Sequence, residues 1–214
     1  WQVWSLDIET SVTRNELLSI GITSGDRKVV LVVSPEQTDL ENVYTFADER
    51  KLLMAFIKFV RKHSPDIIIG WNVIGFDLAF LKWKCQELKV PFALGRGNET
   101  ATILEAQNTS QIAVARIPGR IVLDGISSLR GAFWNFDHYA LNNVAKQMRG
   151  DEKLISGESN KLEEIRRQYI EDPEALAAYN LQDCKLVARI FAKADLINFS
   201  LERARMTGLA ADRQ

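Results

Sequence analysis

Apolar residues fall in short runs divided by turn residues over the first third of the chain and at helical spacing over the last third. Segments 2–10, 17–24 and 28–34 are rich in Val, Ile and Leu and are separated by Thr13-Arg14-Asn15 and Ser24-Gly25-Asp26. That pattern predicts three consecutive strands in an antiparallel meander. Asp48 precedes a stretch in which Leu52, Leu53, Phe56, Phe59 and Val60 recur at helix spacing, which predicts a capped helix over 49–63 that Pro65 stops. Residues 66–71, DIIIGW, form a continuous apolar run of the sort buried on both faces of a parallel sheet. A helix expected over 76–88 and a strand expected over 120–127, RIVLDGIS, complete a crossover unit. Between them, residues 95–120 carry Gly95, Gly97, Asn98, a polar middle, QIAVARI and Pro118-Gly119, and read as an inserted hairpin or flap. From Ala140 onward the pattern is mostly helical and closes on a long helix from Pro173 to Asn198. The expected architecture is an α/β fold with a mixed five-stranded sheet flanked by helices, in a single domain over 1–214.

The first strand contains a local conflict. In WQVWSLDIET, Val3, Trp4, Leu6 and Ile8 are interrupted by Asp7 and Glu9. Successive strand side chains point to opposite faces, so the two acids share one face about 7 Å apart along the chain. Asp77, in GWNVIGFDLAFL, follows the end of a central strand, where α/β sheets gather ligands, and opens the next helix. Asp183, in AAYNLQDCKLVARIF, lies four residues after Tyr179, so phenol and carboxylate share a helix face. Four carboxylates converging on one place would repel by several kcal/mol per close pair at an effective dielectric of about 20. Oxygen ligands without Cys or His suit hard Mg²⁺ or Mn²⁺, and two such ions offset roughly four charges. Two ions about 3.5–4 Å apart activate water and stabilise the leaving oxygen of a phosphodiester, with Tyr179 placed to hydrogen-bond the water or the scissile phosphate.

Composition narrows the choices. The chain has 214 residues, 46% apolar and 26% charged, which suits one well-buried domain and excludes disordered and fibrous classes. No apolar run approaches the roughly 20 residues that span a bilayer and no signal pattern opens the chain, so a soluble, cytoplasmic location and no membrane partner are expected. Cys85 and Cys184 read as core thiols, and with only His63 and His138 beside them no zinc-type cluster is legible. The 27 basic and 28 acidic residues give a net charge of −1, so affinity for nucleic acid would be borrowed from an attached segment. The start at Trp1 and the GLAADRQ ending read as an excised piece of a larger protein.

LDIET, GWNVIGFD and YNLQD resemble the three exonuclease motifs of the 3′–5′ proofreading domains of family B DNA polymerases, DnaQ-like proteins with a ribonuclease H-like fold. The family patterns D-x-E, N-x-x-x-F/Y-D and Y-x-x-x-D match at Asp7 and Glu9, at Asn72, Phe76 and Asp77, and at Tyr179 and Asp183. GRIVLDGISSLRGAFWNF and the closing LERARMTGLAADR are similar to a bacterial branch of that family, and the likeness covers essentially the whole chain. The resemblance implies metal-binding acids at Asp7, Glu9, Asp77 and Asp183 and a water-orienting Tyr179. A sister group carries histidine five residues before the last aspartate, and Ala178 stands there instead.

Around this set, Asn72, Phe76 and Phe80 are candidates for substrate contact, with Trp71 beside them, because aromatic faces stack on bases. Asp124 is a candidate supporting acid or a strand-end acid at a turn. Lys82, Lys84, Lys89, Arg166 and Arg167 read as phosphate contacts or as solvated helix faces. The expected function is proofreading of a single-stranded 3′ primer end for a polymerase domain of the same parent chain, with release of nucleoside 5′-monophosphates and a possible sliding-clamp contact through the full-length protein. Two other readings share the fold: an exoribonuclease that trims RNA ends, and an inactive scaffold.

Overall fold

The computed structural model describes residues 1–11, 15–104, 113–149 and 172–212. β1 (Val3–Ser11), β2 (Glu16–Ser24) and β3 (Arg27–Val33) form the expected antiparallel meander. β5 (Ile67–Gly70) lies parallel to β1 on its other side, and β8 (Ile121–Asp124) parallel to β5. The sheet has six strands in the order β4-β3-β2-β1-β5-β8, not five. The extra strand, β4 (Val43–Phe46), pairs parallel with β3 at the sheet edge. Its four residues are exposed or half-buried, so no continuous apolar run announces it.

Helices cover both faces. α1 (Glu49–His63) starts where Asp48 accepts a hydrogen bond from the Lys51 amide at 2.8 Å and ends at Ser64 in the left-handed region. Leu52, Leu53 and Phe56 of α1, with Leu81 and Cys85 of α2 (Ala79–Glu87), bury the Trp4, Leu6 and Ile8 face of β1. The opposite face, through Ile67, Ile69 and Leu123, packs on α4 (Leu141–Arg149) and α5 (Pro173–Lys193). Ile68 turns the other way into the first core, so β5 is buried on both sides, as its continuous apolar run predicts.

Three boundaries differ from the sequence reading. The strand expected to reach residue 127 stops at Asp124, because that carboxylate accepts from the amides of Ile126 and Ser127 and starts α3 (Gly125–Gly131). The segment before α2 is a π-helical turn, Val73–Leu78, entered through Asn72 at φ 54°. The long last helix is two: α5 ends at Lys193, and α6 (Leu196–Thr207) follows a left-handed Asp195.

The inserted flap is a hairpin of β6 (Thr102–Leu104) and β7 (Val114–Arg116), with 105–112 outside the described residues. Its base is tied down by Arg120, a buried guanidinium that donates to the carbonyls of Leu94 at 2.8 Å and Pro65 at 2.5 Å.

Candidate active site

The parallel register between β1 and β5 runs from Val3 to Ser5, after which the β5 side of β1 has no strand beside it. Asp77 fills the gap: its Oδ1 accepts from the Ile8 amide at 3.0 Å, and its side chain is 2% exposed. Such a rare π-turn, common at functional sites, aims a buried acid back at β1. Asp7 and Glu9 lie on the β1 face opposite Leu6 and Ile8, and Glu9 is buried.

α5 crosses that face and brings Tyr179, Asn180, Asp183 and Cys184 toward β1 and β2. One carboxylate oxygen each from Asp7, Glu9 and Asp183 lie within 4.8 Å of one another. Asp77 borders this group of three, its Oδ1 held by the strand backbone. Tyr179 is half-buried one helical turn before Asp183.

Burial first, then the charges of Asp77, Glu9 and Asp183, push the Asp7 carboxyl well above the usual carboxylate range, and a hydrogen bond from Asn180 pulls it back. Burial also raises Asp77, opposed by the Ile8 amide, with the charges of Asp124 and Glu9 adding to the rise. Asp124 is raised by burial and drawn down by the Ser127 amide. It is both the cap of α3 and a charge felt by Asp77. An all-oxygen donor set of buried, closely spaced carboxylates fits hard divalent cations.

Two residues escaped the sequence reading. Asn180, fully buried, donates from Nδ2 to Asp7 Oδ2 at 2.6 Å. Gly21 pairs with Asp7 in register, and a Cβ there would sit 2.1 Å from Asn180 Oδ1 and 3.2 Å from Cys184 Sγ. A glycine inside a strand marks close backbone approach, and that was the available signal. Gly21→Ala is expected to lower stability by about 1–3 kcal/mol through overpacking. Because a displacement of about 1 Å at reacting groups costs on the order of 10²-fold in rate, nuclease activity should fall further than stability. Urea unfolding beside single-stranded DNA degradation checks both, and an undiminished rate would show that α5 needs no such seat.

The weaker candidates divide. Phe76 is 43% exposed, and Phe80 packs between it and Trp83, at centroid distances of 6.3 and 5.4 Å. Asn72 is exposed at the mouth of the π-turn. Trp71 belongs to the second core and donates from Nε1 to the Tyr139 carbonyl at 2.9 Å. Lys82 donates to the Ile103 carbonyl of the flap at 3.0 Å. Lys84 is buried against Glu49 and Glu87 at 3.3 and 2.8 Å, so its charge is held inside the protein and does not face phosphate. Lys89 is exposed, and Arg166 and Arg167 lie outside the described residues. Cys85 and Cys184 are buried free thiols, as expected; burial pushes Cys85 up to about 12 and, with the Asp7, Asp77 and Asp183 charges, raises Cys184 as well.

This geometry, a D-x-E strand facing a helix that ends a Y-x-x-x-D pattern, sits in a chain whose residues 2–144 match the family described as DNA polymerase family B, exonuclease domain. The chain belongs to that family. DNA polymerase II of Escherichia coli is 37% identical over 213 residues, which cover 98% of this chain and 27% of that protein. The DNA polymerase delta catalytic subunit of Schizosaccharomyces pombe is 30% identical over 199 residues, covering 86% and 18%. The DNA polymerase of Thermococcus kodakarensis is 29% identical over 188 residues, covering 85% and 11%. The chain thus spans about a quarter or less of these relatives. The six-stranded mixed sheet with flanking helices agrees with a ribonuclease H-like exonuclease fold. Family membership makes this a nuclease domain, and among the described residues no helix is long and apolar enough to cross a membrane.

Proposed function

We propose that this chain is a 3′–5′ DNA exonuclease that trims mispaired nucleotides from a primer terminus, releasing nucleoside 5′-monophosphates for the polymerase domain of its parent protein. The observation that carries the reading is the group of Asp7, Glu9 and Asp183, whose carboxylate oxygens lie within 4.8 Å of one another. These three, with Asp77 at their border, would hold two Mg²⁺ ions, for which Mn²⁺ substitutes. Bound there, the ions supply polarisation of a water and charge stabilisation of the leaving oxygen.

The remaining work falls to side chains of the chain itself. Asn180 donates to one oxygen of Asp7 and so fixes the orientation of that carboxylate. The Tyr179 hydroxyl, one turn from Asp183, orients the attacking water or the scissile phosphate. Exposed Phe76, with Phe80 behind it and Asn72 at the turn, receives the frayed terminal base by stacking. Net charge of −1 leaves the chain a weak DNA binder by itself, so the parent polymerase, and through it a sliding clamp, supplies affinity.

A 5′-labelled single-stranded DNA oligonucleotide incubated with Mg²⁺ should give a ladder shortening one nucleotide at a time from its 3′ end. RNA of the same sequence should be degraded roughly tenfold more slowly or worse, about 1.4 kcal/mol of discrimination. Equal rates on both would transfer the assignment to RNA.

A further inference from the structure

The β1 face that carries Asp7 and Glu9 also carries Ser5, one strand period earlier. Beside Ser5, under the later turns of α5, the space between helix and sheet opens into a cavity of about 330 Å³. That size lies at the lower end of the roughly 300–1,000 Å³ range of small-molecule sites. Its apolar wall comes from Ile69 of β5, Phe191 of α5 and Ile197 of α6. Lys28 of β3 and Lys185 and Arg189 of α5 stand round it, and no acid among the described residues lines it.

Two features of this cavity have no counterpart inside the described residues. Lys28 and Arg189 are exposed and Lys185 half-buried, and none of the three makes a hydrogen bond or ion pair with another described residue, so their charge is available to an anion. Ser5 Oγ, with Ser5 at 2% exposure, has no hydrogen-bond partner, although buried hydroxyls are ordinarily satisfied. An anion with a flat apolar body and a polar edge would satisfy all of this at once.

We propose that this cavity binds a nucleoside 5′-monophosphate, with its base against Ile69, Phe191 and Ile197, its polar edge at Ser5, and its phosphate on Lys28, Lys185 and Arg189. The choice of that anion rests on the reaction proposed above, which would release it nearby; the cationic cavity does not. The site is separate from the carboxylate cluster, which in the absence of metal repels a phosphate.

Calorimetry with dAMP in EDTA, on the Asp7→Ala variant of the chain, separates the two places. Saturable binding is expected, with deoxyadenosine and inorganic phosphate each binding roughly tenfold or more weakly. Lys185→Glu with Arg189→Glu should weaken dAMP binding by roughly tenfold or more, and Lys28→Glu, on a different element, should act in the same direction with an unchanged circular dichroism spectrum. The proposal falls if dAMP does not bind saturably, if phosphate alone binds as well, if the charge reversals leave affinity unchanged, or if only a dT oligonucleotide binds. Those outcomes leave the exonuclease reading intact, because that reading is tested by degradation with metal present.

Discussion

Replacing Asp7 and Glu9 together by Ala should abolish Mg²⁺-dependent degradation of single-stranded DNA, lowering the rate by roughly 10³-fold or more, about 4 kcal/mol of barrier. The size of the effect follows from position. Both acids come from one rigid strand, Glu9 is 3% exposed, and both belong to the three-carboxylate group with Asp183. Their removal leaves Asp183 and Asp77 on different elements with nothing between them to bridge a cation. Mn²⁺ binding by calorimetry should disappear together with activity. Because β1 keeps its apolar face in the core, the variant should retain its circular dichroism spectrum and unfold cooperatively. Undiminished degradation by the contaminant-free double variant would sink the catalytic assignment.

The conservative change at the same position should act on stability with the opposite sign. Asp7→Asn is expected to raise the melting temperature of the metal-free protein by several degrees, on the order of what 1–2 kcal/mol does to a domain of this size. It keeps an amide oxygen for the Asn180 donor and removes the charge that burial and Asp77, Glu9 and Asp183 oppose. The pH dependence follows from the same direction of shift. A carboxyl raised in the folded state binds its proton more tightly there than in the unfolded chain. Its contribution to stability is then fully present below the unfolded value of 3.8 and is lost as pH rises through the elevated folded value. Metal-free wild-type protein should thus gain stability as pH falls through those raised folded values, where many proteins lose it. Saturating Mn²⁺ should raise its melting temperature and flatten that slope, and the Asn variant should show a smaller slope without metal. Thermal melts at several pH values, with EDTA or Mn²⁺, check all three, and a wild type whose stability only falls on acidification would overturn the account.

Local patterning made much of this protein legible. The meander follows from three runs of β-branched residues between turn signals, with strand ends within one residue of the structure, and α1 over its expected 49–63 from its Asp48 cap and the Pro65 stop. The D-x-E, N-x-x-x-F-D and Y-x-x-x-D spacings single out Asp7, Glu9, Asp77 and Asp183 without reference to any contact between them. Those signals are short-range, carried by residues within a few positions of one another. β4 was not legible in this way, because a half-buried four-residue edge strand has no periodicity to read. Nor was the break at Asp195, where one left-handed residue divides a stretch whose apolar spacing runs on through it.

By itself, then, the sequence determined the longer strands and helices and which acids stand out from apolar surroundings, since both depend on neighbours along the chain. Tertiary structure decided how those acids meet. Asp77 turns to the Ile8 amide because β5 ends before it can pair that edge of β1. Asp183 reaches Asp7 and Glu9 because Gly21 lets α5 settle on the sheet with Asn180 against Asp7. These are contacts between residues up to 176 positions apart, as Asp183 is from Asp7, and their geometry depends on packing volumes that no local spacing encodes.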